Sequence, residues 1–182
     1  MIPGFANRRR FRDLAEQEIL ALAISSEEDD ARIYRSYAEM LRKDFPASAA
    51  VFDGMAAEED DHRRRLIDLH VARFGEVIPL IRREHVSGFY ARRPVWLVEN
   101  LGLERIREEA AQMEQDAERF YRAAAAKTTD AATRKLLGDL AAAEAGHSEH
   151  ATHLEDKHLD ADERSAEESA AHRQFILTWV QP

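Results

Sequence analysis

The stretch 56–66, AAEEDDHRRRL, carries a Glu and a His three residues apart, Glu59 and His62, and 141–151, AAAEAGHSEHA, repeats that spacing in Glu144 and His147. Residues three apart on an α-helix lie about 60° apart around its axis, so each pair projects from one face and can grip one cation. A lone Glu stands before each pair, seven residues ahead of a Tyr: Glu27 with Tyr34, and Glu114 with Tyr121. Four carboxylates and two imidazoles repeated in this way are the donor set of a dinuclear metal site.

A true duplication should also repeat the apolar residues packed around those donors. Setting Glu59 on Glu144 matches Phe52 with Leu137, Met55 with Leu140, Ala56 with Ala141 and Leu69 with Leu154, at a constant offset of 85 residues. Setting Glu27 on Glu114 matches Tyr34 with Tyr121 and Ala38 with Ala125, at an offset of 87. The difference of two fits a change in loop length between two otherwise equivalent halves.

Composition narrows the fold to long helices. The 182 residues are 45% apolar and 34% charged, with only 7 Gly and 5 Pro, and strand-like alternation is nearly absent. With no Cys, disulfides, thiolate zinc sites, iron–sulfur clusters and cysteine nucleophiles are all excluded. The net charge of −9 argues against a nucleic-acid partner, whose phosphates demand a basic face. The basic groups Arg8–Arg10, Arg63–Arg65, Arg82–Arg83 and Arg92–Arg93 read as solvated helix faces. No segment has the length of a membrane span, and the start MIPGFANRRRFRDL lacks the apolar run of a signal peptide, which makes a cytoplasmic setting the expectation.

Periodicity predicts a first helix over about 11–43, with Leu20, Ile24, Glu27, Ala31, Tyr34, Ala38 and Leu41 on one stripe. The second should open at Pro46 and close at Phe74, capped by Gly75, with Phe52, Met55, Ala56, Glu59, His62, Leu66 and Leu69 facing inward. Helices three and four are expected over 103–127 and 130–157, joined by a polar turn at Thr128 and Thr129. Between the halves, residues 76–100 form a crossover too apolar for a loose linker, with Phe89, Tyr90 and Trp96 and a short helix of its own. A connection of that length lets helices two and three run parallel. After Leu159, a fifth helix turns apolar at Phe175, Ile176, Leu177, Trp179 and Val180. The predicted organisation is a bundle over 1–159 and a C-terminal helix over 160–182.

Either Glu-x-x-His pair alone would be a surface feature. Four Glu residues inside apolar stripes are different, because they would be desolvated and mutually repelling unless cations neutralise them. Glu28 and Asp30 compete with Glu27 as donors, and His150 could add a peripheral contact, whereas His153 and His158 have no counterparts in the first half. Tyr34 and Tyr121 read first as core residues and second as hydrogen-bond donors to the carboxylates. A carboxylate-rich site with one imidazole per metal suits iron or manganese, and zinc can occupy it. Two Fe(II) ions there could give two electrons to O₂ or H₂O₂; Glu59 and Glu144 are assigned as bridges, and Glu27 and Glu114 as terminal ligands.

This pattern resembles the rubrerythrin-like branch of the ferritin-like superfamily over about 14–159. The stretches EQEILALAISSEEDDARIY, AAEEDDHRRRL, MEQDAERFYRAAA and HRQFILTWVQP resemble more closely the N-terminal domain of membrane-bound ferritins, the erythrin–vacuolar iron transporter proteins. The resemblance implies an all-α, ferritin-like four-helix bundle of two repeated helix pairs. It implies ligands at Glu27, Glu59, His62, Glu114, Glu144 and His147, two iron ions per site, and a homodimer, with the apolar crossover a candidate interface. It also implies a following transmembrane transporter domain, a place on the cytoplasmic face of the bacterial inner membrane, and a role in iron export in which Fe(II) is captured or oxidised. Rubrerythrins add a Glu at the place of Ala111 and carry a cysteine-rich domain that re-reduces the metals, so this chain departs from them at both points. A rubrerythrin-like peroxidase and a storage ferritin stand as alternatives, as do an iron sensor or a metal-free helical adaptor.

Overall fold

Proline at the start and glycine at the end fix the second helix. Pro46, which has no N–H to leave unpaired, opens α2 (Pro46–Phe74). Gly75 stops it with φ +87°, its N–H returning to the Val71 carbonyl at 3.0 Å. The computed structural model describes residues 8–88 and 102–152, with α4 side chains to 147, and residues 165, 166 and 168–170. Within these, α1 (Glu16–Leu41) and α2 form one hairpin, and α3 (Leu103–Lys127) and α4 (Ala131–Thr152) form the other. Asp130 caps α4, its carboxylate accepting the Thr133 N–H at 2.8 Å.

The chain before α1 departs from the expected long first helix. Phe11–Asp13 make a single 3₁₀ turn, and Leu14 and Ala15 are extended. Two contacts explain the late start. Leu14 is drawn into the core, and β1 (Arg9–Arg10) pairs in parallel with β2 (Val86–Ser87) of the crossover, a ladder too short to leave alternation in the sequence. Glu18 then stabilises the opening turn of α1, its carboxylate accepting the Ala15 N–H at 2.8 Å. Among its described residues the crossover contains one 3₁₀ turn, Arg83–His85. Phe89, Tyr90, Trp96, the side chain of His150, His153, His158 and the apolar C-terminal stretch lie outside the described residues.

Among the described residues, two apolar clusters fill the bundle. One gathers Tyr34, Tyr37, Phe52, Met55, Ile106 and Met113, with Ala170 of the C-terminal segment against it. The other gathers Leu14, Leu20, Ile24, Leu66, Phe120, Tyr121, Leu137 and Leu140. Helices α2 and α3 both run from the first cluster to the second, so they are parallel, as the long crossover requires. Leu69 is only half-buried, and His70 takes the fully buried position beside it. Reading the residues in order along each helix, Glu27, Glu59 with His62, and Glu114 all fall between the two clusters. A polar layer is thereby sealed by apolar packing above and below.

Candidate metal centre

Each helix contributes one carboxylate to this layer, and the expected stripes carry them inward. Glu27, Glu59, Glu114 and Glu144 are each 3% exposed or less, values otherwise typical of core leucines. Glu27, Glu59, His62 and Glu144 form one group, and Glu59, Glu114, Glu144 and His147 a second, with the donor atoms in each lying within 4.8 Å of one another. All six side chains singled out in the sequence are therefore brought together. Glu59 and Glu144 belong to both groups.

The imidazole of His62 presents Nδ1 to three carboxylates, at 3.1 Å from Glu144, 3.3 Å from Glu59 and 3.9 Å from Glu27. His147 presents Nδ1 to Glu114 at 3.4 Å. The two rings lie parallel, 14° apart with centroids at 6.0 Å. Although these atoms are close, His62 Nδ1, His147 Nδ1, Glu114 Oε2 and Glu144 Oε1 are buried without a hydrogen-bond partner. They crowd into one layer without satisfying each other. That is how donors to a cation are arranged, and oxygen and imidazole donors together suit a divalent first-row metal.

Protonation bears out the strain of this layer. Burial, reinforced by Glu59, raises the Glu27 carboxyl well above its ordinary range. Burial and the charges of Glu59, Glu114 and Glu27 do the same to Glu144. For His147, burial opposes the charged form, but Glu114, Glu58 and Glu59 outweigh it and lift the imidazole from 6.5 to about 9. These shifts all favour the protonated forms when no cation is present.

The tyrosines cross between halves. Tyr34 donates its O–H to Glu114, and Tyr121 donates to Glu27, both buried. Their core reading and their hydrogen-bonding reading hold together, since the rings sit in the apolar clusters while the hydroxyls reach the carboxylates; burial and Glu114 push the Tyr34 hydroxyl well above its usual value. The rival donors are placed elsewhere. Glu28 is half-exposed and paired with Arg32, whereas Asp30 is buried against Arg83 at 2.5 Å. This corrects the solvated reading of the Arg82–Arg83 group: Arg83 is buried, and also donates to the Ser26 carbonyl at 2.6 Å. Glu58 was missed. It reaches from α2 to Nε2 of His147 on α4, and lying one residue off the inward stripe it leaves no periodic signal.

Comparison with known proteins agrees with this architecture. A solved structure of a hypothetical protein from Pyrococcus furiosus superposes with a TM-score of 0.61 over 94% of this chain and 96% of its own, at 22% identity, a likeness of fold. No curated protein matches the chain. Among the described residues, no helix is long and apolar enough to cross a membrane. Residues 18–155, from α1 past the described end of α4 and including the whole carboxylate–imidazole layer, match the rubrerythrin family, and the chain belongs to that family, whose domains bind a pair of irons.

Proposed function

We propose that this chain is a dinuclear iron-binding domain that captures Fe(II) at Glu27, Glu59, His62, Glu114, Glu144 and His147. The reading rests above all on six buried or nearly buried carboxylate and imidazole side chains gathered in two overlapping groups, four of their donor atoms unsatisfied. Glu59 and Glu144, common to both groups, would bridge the two metals. Glu27 with His62 would complete one position, and Glu114 with His147 the other. Bound iron would supply one-electron chemistry toward O₂ or H₂O₂, which makes the domain a candidate ferroxidase. The protein's part is to hold the donors dry and pre-aimed: Tyr34 and Tyr121 orient Glu114 and Glu27, and the apolar clusters exclude water. Glu27 and Glu144 would surrender their protons as the cation enters, so uptake releases protons.

In a wider setting, the domain would serve iron export from the cytoplasmic face of the bacterial inner membrane. It would act as a homodimer ahead of a transmembrane transporter domain, with 1–159 as the bundle and 160–182 leading to the membrane. That proposal is supported by the resemblance of HRQFILTWVQP and of the helix stretches to membrane-bound ferritins. Anaerobic Fe(II) titration of the metal-free protein, followed by O₂ or H₂O₂ with near-ultraviolet detection, tests the core of it. Saturation at two irons per chain with prompt ferric absorbance supports an oxidising site. Saturation without oxidation turns the reading to an iron sensor or delivery domain, and no saturable binding refutes it.

A further inference from the structure

The duplication that built the six donors did not copy everything around them. At the offset of 85 residues that sets Glu59 on Glu144 and His62 on His147, Glu58 falls on Ala143. Glu58 spans from α2 to α4 and meets Nε2 of His147, while Nδ1 of the same ring faces Glu114. An imidazolium whose Nε2–H faces a carboxylate gives up its other proton, from Nδ1, when a cation arrives, and its ring angle stays fixed. His62 presents Nδ1 to the layer in the same way, but the position equivalent to Glu58 in the second half is Ala143, whose methyl group accepts no hydrogen bond.

We propose that Glu58 is a positioning residue that fixes the Nδ1-donating form of His147 and makes the two metal positions unequal, the Glu114–His147 position binding first and more tightly. The inequality rests on the metal-centre reading above, but not on which metal is native. It is encoded by one side chain that is itself half in solvent, 56% exposed, so changing it leaves the sealed layer intact. A site with ordered filling can hold one ion while the second arrives, whereas two equal positions would fill without order.

Co(II) serves as the probe, added anaerobically to the metal-free protein at fixed pH while visible absorbance and heat are recorded. The wild-type chain should take up two ions in two resolved steps. Glu58→Ala should weaken the first step by about 10- to 100-fold and merge it with the second, the range in which loss of such partners usually falls. Glu58→Gln, whose amide oxygen still accepts the Nε2–H, should restore the separation. Ala143→Glu should tighten the weaker step. In the Co(II)-loaded protein, the paramagnetically shifted Nε2–H proton of His147 should exchange faster with solvent in Glu58→Ala than in wild type. Unchanged steps in Glu58→Ala, an equal loss at both steps, or a Gln variant that behaves like the Ala variant would each overturn the role. A wild-type chain that binds no Co(II) refutes the metal centre itself, and this role with it.

Discussion

Replacing Glu144 by Gln should stabilise the metal-free protein, and by more at higher pH. Burial and the carboxylates of Glu59, Glu114 and Glu27 hold the Glu144 carboxyl protonated well above its ordinary value of 4.5, whereas the unfolded chain ionises near that value. The native state thus keeps a proton that the unfolded state has lost. Its advantage is full below about pH 4.5 and then declines by about 1.4 kcal/mol per pH unit until the folded group ionises. Glu27 is raised in the same direction, so the two carboxyls together give a slope of up to ~2.7 kcal/mol per unit. His147 adds a later window. Its rise from 6.5 to about 9 gives stability that is complete below pH 6.5 and lost as the pH passes 9, at most about 3 kcal/mol. Asp13, Glu18 and Asp130 are shifted the other way, but they lose their stabilising effect only on acidification below the usual carboxylate range and are flat above it. Urea denaturation of chelator-treated protein between about pH 5 and 9 should therefore show stability falling throughout, with the Glu144→Gln slope shallower by about 1.4 kcal/mol per unit in the acidic half. Wild-type stability that is level or rises over this range, or a Gln variant running parallel to wild type, refutes the view that the layer is dry and mutually repelling.

Other perturbations follow from the same geometry. Tyr34→Phe and Tyr121→Phe keep the rings in their clusters but remove the hydroxyls from Glu114 and Glu27; each should weaken Fe(II) binding by about 10- to 100-fold in anaerobic titration. Arg83→Ala leaves the buried Asp30 without its guanidinium and should cost about 3–5 kcal/mol in urea denaturation, much of it recovered in the Arg83→Ala, Asp30→Ala double variant. Gly75→Ala should cost about 1–3 kcal/mol from backbone strain alone, because φ is +87° with ψ −177° and no atom lies within 4 Å of the added methyl.

Why some features could be read from the chain and others not is a matter of range. The ends of α2 and α3 were legible because Pro46, Gly75 and the break at Thr128 act through their own backbone. The six donors were legible because a Glu inside an apolar stripe contradicts its surroundings, and the contradiction occurs four times. The start of α1 was not, since Leu14 and β1 respond to Val86 and Ser87, which lie more than seventy residues away. Arg83 looked like one more surface cation, for its partner Asp30 sits in α1, 53 residues away in sequence. Glu58 was hidden by its neighbour. Which of two adjacent acids faces the layer follows from the stripe, but where the other one reaches is set only by how α4 docks.

The crossed tyrosines bear on the order in which the molecule folds. Each helical hairpin is built from contacts close in sequence, but Tyr34 meets Glu114 across 80 residues and Tyr121 meets Glu27 across 94. Local pairings form early and distant ones late. The hairpins can collapse on their apolar stripes before any carboxylate is committed to a dry environment, and the charged layer closes only when one hairpin docks on the other. Substitutions at Tyr34 and Tyr121 should then speed unfolding while leaving the folding rate almost unchanged, the kinetic signature of interactions made after the barrier.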